Sequence, residues 1–368
     1  MTTLRNKRVS IWRHTTRVIE LIPNLVFVGL YGITMLSPFV SPVKSQIPAL
    51  FNLAFPAILA VLLFLWFVYL IRGRWIYFLF YTLLMLFSSG YILAYLPLNF
   101  GKRLSPRHDI RIMTYNVESF LERDKEDRLL APQLIERYQP DIIALQEATI
   151  YPDQFPVDTK LSKLFPDYPY VHIHRTQALL SKYPIAVKSP IEYKQSNNGS
   201  CSYIIKLPDN RELFLVNNHM ESYSLKDAEK AEYKSYLRDL SLKELPRQLL
   251  KIKRRLGPSL NQRAANAETV ERQLHKGIDK YHPDVIVVLG DLNDTPMSYT
   301  YSTLRNGLRD AYKDTGLGLG VSYNERLMPF RIDHIFYGGD VKVIGTEIPT
   351  QRRHSDHNPL IADFIWRN

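Results

Sequence analysis

Residues 285–296 read VIVVLGDLNDTP, and this stretch decides the fold. The run from Val285 to Leu289 is aliphatic and mostly β-branched, which predicts a short strand. The strand then delivers Asp291 and Asn293, two polar residues that strand propensity does not explain. Asp294, Thr295 and Pro296 follow, and they read as a helix start, since Pro suits the first helical position and Asp or Thr before it can cap.

The same pattern recurs outward from this stretch. Apolar and polar residues alternate from Ile110 to Tyr115, predicting a strand that ends in Asn116. A buried strand from Ile142 ends in Gln146 and Glu147, and LFLVN is followed by Asn218 and His219. RIDHIF contains Asp333, and HSDHNPL supplies Asp356 and His357. Further strands are expected at 171–174, 178–181, 202–207, 212–218, 332–337 and 360–366, with a helix near 126–138. Strands mixed with helices imply an α/β sandwich whose sheets are covered by helices. The stretch from Leu225 to Lys280 is charged and helical in composition. Pro246 and Gly257-Pro258 predict its division into two or three surface helices. Lys251, Lys253, Arg254 and Arg255 form its basic cluster, either a solvated face or a contact for anionic head groups or a polyanion.

Taken singly, Asn116 reads as a turn residue, Glu147 and Asp333 as strand-end charges, and either histidine as an ordinary hydrogen-bonded one. Together, strand after strand brings acids, amides and imidazoles to its C-terminal end, where loops can converge on one site. Carboxylates and amide oxygens suit Mg²⁺ or Mn²⁺, which keep several waters. Hydrolysis of a phosphate ester needs such a cation, an activated water and compensation of charge on the phosphoryl oxygens. No tetrahedral zinc set is present, and Cys201, the single cysteine, reads as a small buried residue.

The ordered series TYNVES, LQEA, NNHMES, GDLNDTP, RIDHIF and SDHNPL, joined by LSKYPI at 180–185, resembles the endonuclease/exonuclease/phosphatase superfamily over about residues 110–367. The resemblance implies a four-layered α/β sandwich, two facing β-sheets flanked by helices, with the site at one end. It implies Glu147 as principal metal ligand beside Asn116 and Asp356. Asp291 would orient or deprotonate the attacking water, and Asn293 would hold that water or the phosphate. His357 would contact the phosphate, polarised by Asp333, while His219 would stabilise developing charge or protonate the leaving oxygen. The choice of base between Asp291 and His357 stays open. Asn218 stands where the family often has Thr, and His334 occupies a commonly aromatic position, so it is either structural or lines the cleft.

Ahead of residue 110 the sequence changes character. Three stretches lack any charged residue, 23 residues between Glu20 and Lys44, 27 between Lys44 and Arg72, and 27 between Arg74 and Lys102. Each exceeds the roughly 20 residues needed to cross a bilayer core, so three transmembrane helices are expected near 20–40, 49–71 and 75–97. Trp66, Trp75, Tyr77 and Tyr95 sit near the expected span ends, where aromatic rings favour the interface. The expected organisation is a membrane segment at 1–101, a linker at 102–109 and a catalytic domain at 110–368. The net charge of +11 invites a nucleic-acid reading until its distribution is seen. Residues 1–110 hold 11 bases and 2 acids, leaving 36 bases and 34 acids in 111–368, so most of the basicity flanks apolar segments. Seven bases on one side of the expected spans against four on the other place the N-terminus in the cytoplasm. The catalytic domain then lies beyond an inner or plasma membrane, facing away from the cytoplasm. The leading expectation is a membrane-anchored Mg²⁺-dependent hydrolase of a phosphodiester or phosphomonoester, its substrate a lipid, a small molecule or a nucleic acid, with no obligate protein partner evident. The alternatives are a nuclease acting on DNA or RNA, and a catalytically silent membrane scaffold. Spans without charge disfavour a transporter.

Overall fold

The computed structural model describes residues 20–100, 103–121, 123, 128–151, 160–193, 196, 198–223, 244–325, 328–349 and 355–367. Among the described residues, fourteen strands follow the N-terminal helices: β1 Ile110–Asn116, β2 Ile142–Gln146, β3 Tyr170–His174, β4 Gln177–Ser181, β5 Ile185–Glu192, β6 Gly199–Lys206, β7 Glu212–His219, β8 Val285–Asp291, β9 Arg309–Asp310, β10 Tyr323–Glu325, β11 Met328–Phe330, β12 Asp333–Gly339, β13 Val341–Glu347 and β14 Leu360–Trp366. They build two six-stranded sheets, ordered β13-β14-β1-β2-β4-β3 and β5-β6-β7-β8-β12-β9, and a small β10-β11 hairpin. Each large sheet has one parallel pair at its centre, β1 with β2 and β7 with β8. The remaining pairs in both sheets are antiparallel.

Alternation along the strands sorts side chains into layers. Ile110, Ile112, Ala144, Cys201, Tyr203, Leu215, Val287 and Leu289 meet between the two sheets. Met113, Tyr115, Ile143 and Leu145 face outward onto helix Leu130–Tyr138. Val216, Val288 and Phe336 face the other way onto Ala267, Val270 and Leu274 of a long helix, Leu245–Tyr281. Helix, sheet, sheet and helix thus stack as expected, and Cys201 is buried between the sheets.

That long helix corrects one expectation. It continues for 37 residues through Gly257 and Pro258 instead of breaking there. A proline inside a helix costs about 3 kcal/mol, but packing on both sides outweighs it. Leu256 and Leu260 meet Ala49, and Ala264 to Leu274 cover the sheet. The part of the expectation that falls on residues 225–243 lies outside the described residues.

The apolar N-terminal region brings a second correction. In chain order its helices are α1 Glu20–Met35, α2 Ile47–Leu53, α3 Phe55–Ile71, α4 Trp75–Phe87 and α5 Ser89–Tyr95, so the long helix, after Leu130–Tyr138 (α6) and Leu161–Leu164 (α7), is α8. Among the described residues no single helix is long and apolar enough to cross a membrane. The expected spans at 49–71 and 75–97 are bent pairs, turning by 71° between α2 and α3 and by 67° between α4 and α5. The chain leaves helical geometry at Ala54, and Pro56 in the first turn of α3 has no N–H with which to carry the α2 ladder across that break. At the second, the Ser88 hydroxyl donates to the Leu84 carbonyl at 2.7 Å, a back-bond that bends helices. Tyr95 is buried 5.0 Å from Phe55 rather than held at a rim.

This helical region is docked on the sandwich. Met297 is buried among Phe55, Leu59, Tyr95 and their neighbours. Asn52 Nδ2 donates to Thr295 Oγ1 at 3.1 Å, Asn99 Nδ2 donates to the Lys313 carbonyl at 2.9 Å, and Arg331 donates to the Ala94 carbonyl. The 103–109 stretch is also tied down, with the Ser105 N–H on Asp363 at 2.7 Å.

Candidate active site

The site is assembled by strand register. In the first sheet Asn116 pairs with Gln146, so the chain leaves β1 and β2 side by side and Glu147 follows at once. In the second sheet Asp291 pairs with His219 on one side and with Asp333 on the other. Three polar residues therefore stand abreast on the facing sheet. Asp333 and His357 differ from expectation in one respect. Asp333 begins β12, and Asp356 and His357 precede β14, so they reach this rim from strand starts, which antiparallel pairing brings to the same end.

Backbone conformation aims the groups. Gly290 has φ +130°, and a Cβ there would stand 2.0 Å from the Asn218 carbonyl oxygen, so only glycine lets β8 turn into Asp291. Glu147 and Asn293 adopt left-handed φ of +50° and +49°, a strained conformation that structures retain where a side chain must be re-aimed. Behind them a buried amide link joins the sheets, Gln146 Nε2 donating to Asn217 Oδ1 at 2.7 Å and Asn217 Nδ2 to the Leu145 carbonyl at 3.1 Å.

Asn116 stands at the centre. Its Nδ2 donates to Glu147 Oε1 at 3.1 Å and to Asp291 Oδ2 at 3.2 Å, bridging the two sheets. His219 Nε2 lies 3.6 Å from Glu147 Oε1 and 4.0 Å from Asp291 Oδ2. Asn293 donates twice to Asp291, from its backbone N–H at 2.8 Å and its side chain at 3.2 Å. His357 Nδ1 hydrogen-bonds Asp333 Oδ2 at 2.8 Å, and its Nε2 lies 3.7 Å from Asp291 Oδ2. Ser322 Oγ accepts the backbone N–H groups of Ile332 and Asp333, and Ser355 Oγ donates to the Asn116 carbonyl, pinning both loops. Asp356 is exposed at the mouth, its backbone N–H bonded to Glu118 at 3.1 Å.

The electrostatics divide the buried groups by role. Burial raises the Asp291 acid to about 7, against the pull of nearby His357. Burial opposes charge on His357, but Asp333 and Asp291 outweigh it and raise the imidazole to about 10. Burial lowers His219 to about 4, partly offset by Glu147. The two imidazoles are thus pushed to opposite sides of their ordinary value beside a raised carboxyl, the pattern that marks a candidate acid–base site.

The donor set suits a divalent cation. Glu147 and Asp291 converge on one amide hydrogen-bond donor, Asn116, and Asp333 Oδ1 is buried with no hydrogen-bond partner. Carboxylate oxygens of Asp291 and Asp333 lie within 4.8 Å of each other, so anionic oxygens gather at this rim. Oxygen-rich sets of this kind fit hard cations.

Two residues near the motifs fall outside the site. His334 is buried, with Nε2 on the Asp294 carbonyl at 3.1 Å and its ring stacked 5.7 Å from Phe336, so it is structural. Asn218 turns away to the Leu289 carbonyl. Asp294 does not start a helix. Ser298 caps Tyr299–Arg305 (α9), and Asp294 pairs with Arg263 at 3.5 Å. Arg263 is a residue that motif reading missed. Fully buried on α8, it donates through Nε to the Glu221 carbonyl at 2.9 Å and through Nη1 to the Asn293 carbonyl. Its guanidinium lies 4.3 Å from the Tyr223 ring centroid. It thereby ties the loop after His219 to the loop after Asp291. The signal was spacing: Leu256, Leu260, Arg263, Ala267, Val270 and Leu274 recur at helical intervals, which puts an arginine in the buried stripe.

A family model described as the Endonuclease/Exonuclease/phosphatase family matches residues 113–357, and one described as a domain of unknown function matches residues 16–95. No curated protein matches the chain. Similar solved structures include truncated Caenorhabditis elegans TDP2, at 18% identity over 70% of this chain and 97% of that one, with a TM-score of 0.48. The human Nocturnin catalytic domain with bound sulfate is 17% identical over 72% and 96%, TM-score 0.49. A mannosyl-6-phosphatase from Bacteroides thetaiotaomicron is 16% identical over 70% and 100%, TM-score 0.49.

Proposed function

Because the chain belongs to the endonuclease/exonuclease/phosphatase family, we propose that it hydrolyses a phosphate ester with the help of Mg²⁺ or Mn²⁺ at the rim where its two sheets meet. The observation that carries this reading is the bridging Asn116 amide, which brings Glu147 of one sheet and Asp291 of the other to a single point. Glu147 and Asn116 would hold the cation, with Asp356 at the mouth completing the set. A bound divalent cation would supply charge neutralisation at the phosphoryl oxygens and a more acidic water.

The chain's own residues supply the rest. Asp291, with its acid near 7, is the general base and takes the proton of the attacking water, held in place by two hydrogen bonds from Asn293. His357 is too basic for that task, so it serves as a fixed cation against the scissile phosphate, kept charged by Asp333. His219 stays neutral near pH 7 and offers an N–H to the developing charge rather than a proton to the leaving oxygen.

The apolar region is read as a membrane attachment that places the substrate at or near a lipid surface beyond the cytoplasm. Its support is the set of charge-free stretches and the exposed side chains of Ile22, Leu25, Phe39, Phe64, Ile76 and Phe87. The near balance of bases and acids in residues 111–368 disfavours a long polyanion as substrate. The test is turnover by the full chain, in detergent with Mg²⁺, across phospholipids, sugar and inositol phosphates, DNA and RNA. Hydrolysis of a lipid or small phosphate ester is expected. Faster cleavage of nucleic acid would favour a nuclease, and no turnover at all would favour a silent scaffold.

A further inference from the structure

The basic cluster of α8 plays no part in the site above, and the structure gives it a definite setting. Its helical turns lie beside the N-terminal region, where Gln46 Nε2 donates to Asn261 Oδ1 at 3.1 Å and Ala49 packs on Leu256 and Leu260. The Gln46 side-chain amide lies directly against Gly257, its Oε1 2.5 Å from where a Cβ would stand. Around the contact opens a cavity of about 530 Å³ lined by Gln46, Leu250, Lys253, Arg254, Pro258 and Asn261.

Three features of this cavity point to one ligand. Lys253 and Arg254 are exposed and, among the described residues, neither has an acidic partner, whereas nearby Arg247 pairs with Glu244 at 3.7 Å. Leu249 and Leu250, one turn away, are 42% and 47% exposed, and Ile47 beside Gln46 is 47% exposed, so apolar surface continues from the N-terminal helices onto α8. Pro258 removes the N–H that would bond the Arg254 carbonyl, leaving an acceptor near the two cations. Cations, an acceptor and flanking aliphatic surface match a lipid that carries a phosphate, hydroxyl groups and acyl chains.

We propose that this cavity holds the head group of an anionic phospholipid, with the phosphate at Lys253 and Arg254 and the acyl chains along Leu250 and Ile47. The proposal rests on the membrane reading, because the lipid is drawn from the bilayer around the apolar helices. It orients α8, and with it Arg263 and the catalytic loops, against the lipid surface.

The test uses the full chain in vesicles of phosphatidylcholine alone and of phosphatidylcholine with phosphatidylglycerol. Flotation on the neutral vesicles reads membrane attachment by itself. Retention of each lipid by the protein extracted in mild detergent, measured by native mass spectrometry, reads the site. The wild type should retain phosphatidylglycerol preferentially, and Lys253→Gln/Arg254→Gln should lower that preference about 30-fold while still floating with neutral vesicles. An unchanged preference in the variant overturns the proposal, as does displacement of the lipid by inorganic phosphate, which would make the cavity a free-anion site. Failure of both proteins to float would overturn the membrane reading, while the retention measurement would still decide the cavity.

Discussion

Asp333→Asn separates charge from shape at the site. The side chain keeps its size, but the buried carboxylate that hydrogen-bonds His357 Nδ1 at 2.8 Å becomes neutral. His357 stands at about 10 because Asp333 and Asp291 outweigh the effect of burial. With Asp333 neutral, burial acts against Asp291 alone. An imidazole returned to its ordinary 6.5 would be only about 3% charged at pH 8, a loss of about 30-fold in the active form, whereas at pH 5.5 the two proteins should differ by no more than about threefold. Stability follows the same sign. A folded-state value raised above the unfolded one gives His357 a contribution fully present below about 6.5 and lost as pH rises through about 10. Breaking a buried pair costs about 3–5 kcal/mol when a charge is left uncompensated, and loss of the His357 proton relieves part of that. The assays are the pH dependence of kcat from pH 5 to 10 and NMR titration of the histidine. A variant whose His357 still titrates near 10, or whose activity falls equally at pH 5.5 and pH 8, would refute the assignment of His357 as a fixed cation.

Two further outcomes follow from the same geometry. Arg263→Met should lower kcat by about 10- to 100-fold with little change in KM, because it frees both catalytic loops, and Arg263→Lys, which keeps the charge but not the forked donors, should recover only part of the loss; equal effects of both substitutions on KM alone would count against a positioning role. Asp291, raised to about 7, contributes stability that is fully present below about 3.8 and lost as pH rises through about 7. Mg²⁺ should therefore add more to the unfolding free energy at pH 8 than at pH 5.5, up to about 2.7 kcal/mol at one hundred times its Kd; an equal gain at both would contradict placement of the cation beside Asp291.

Much of the catalytic half is legible in the sequence because its strands are short apolar runs that stop at chemically conspicuous residues. Asn116, Glu147, His219, Asp291, Asp333 and His357 all meet at one rim. Strands β5 and β13 are less legible. β5 is largely exposed and carries Lys188 and Pro190, and β13 is broken by an irregularity between Val343 and Gly345, so neither shows clean alternation. The course of α8 through Pro258 is a tertiary effect, decided by what packs on Leu256, Leu260 and Ala267. Arg263 was hidden for a related reason. Charge in a charged helix reads as solvated until the apolar spacing around it is counted. In the N-terminal region, composition shows three apolar stretches, but the bends at Pro56 and Ser88 come from local backbone chemistry that a count of uncharged residues overlooks.

The central claim, that Glu147 and the groups around it form a divalent-metal site for phosphate-ester hydrolysis, is tested most directly by phosphate-ester turnover of the full chain in Mg²⁺, in EDTA, and after Glu147→Ala. The account predicts turnover in Mg²⁺, its loss in EDTA with recovery on adding Mg²⁺ or Mn²⁺, and a fall of about 100- to 1,000-fold in the variant, the scale of removing one preorganised electrostatic element of a site. Turnover that persists in EDTA or survives Glu147→Ala would contradict it.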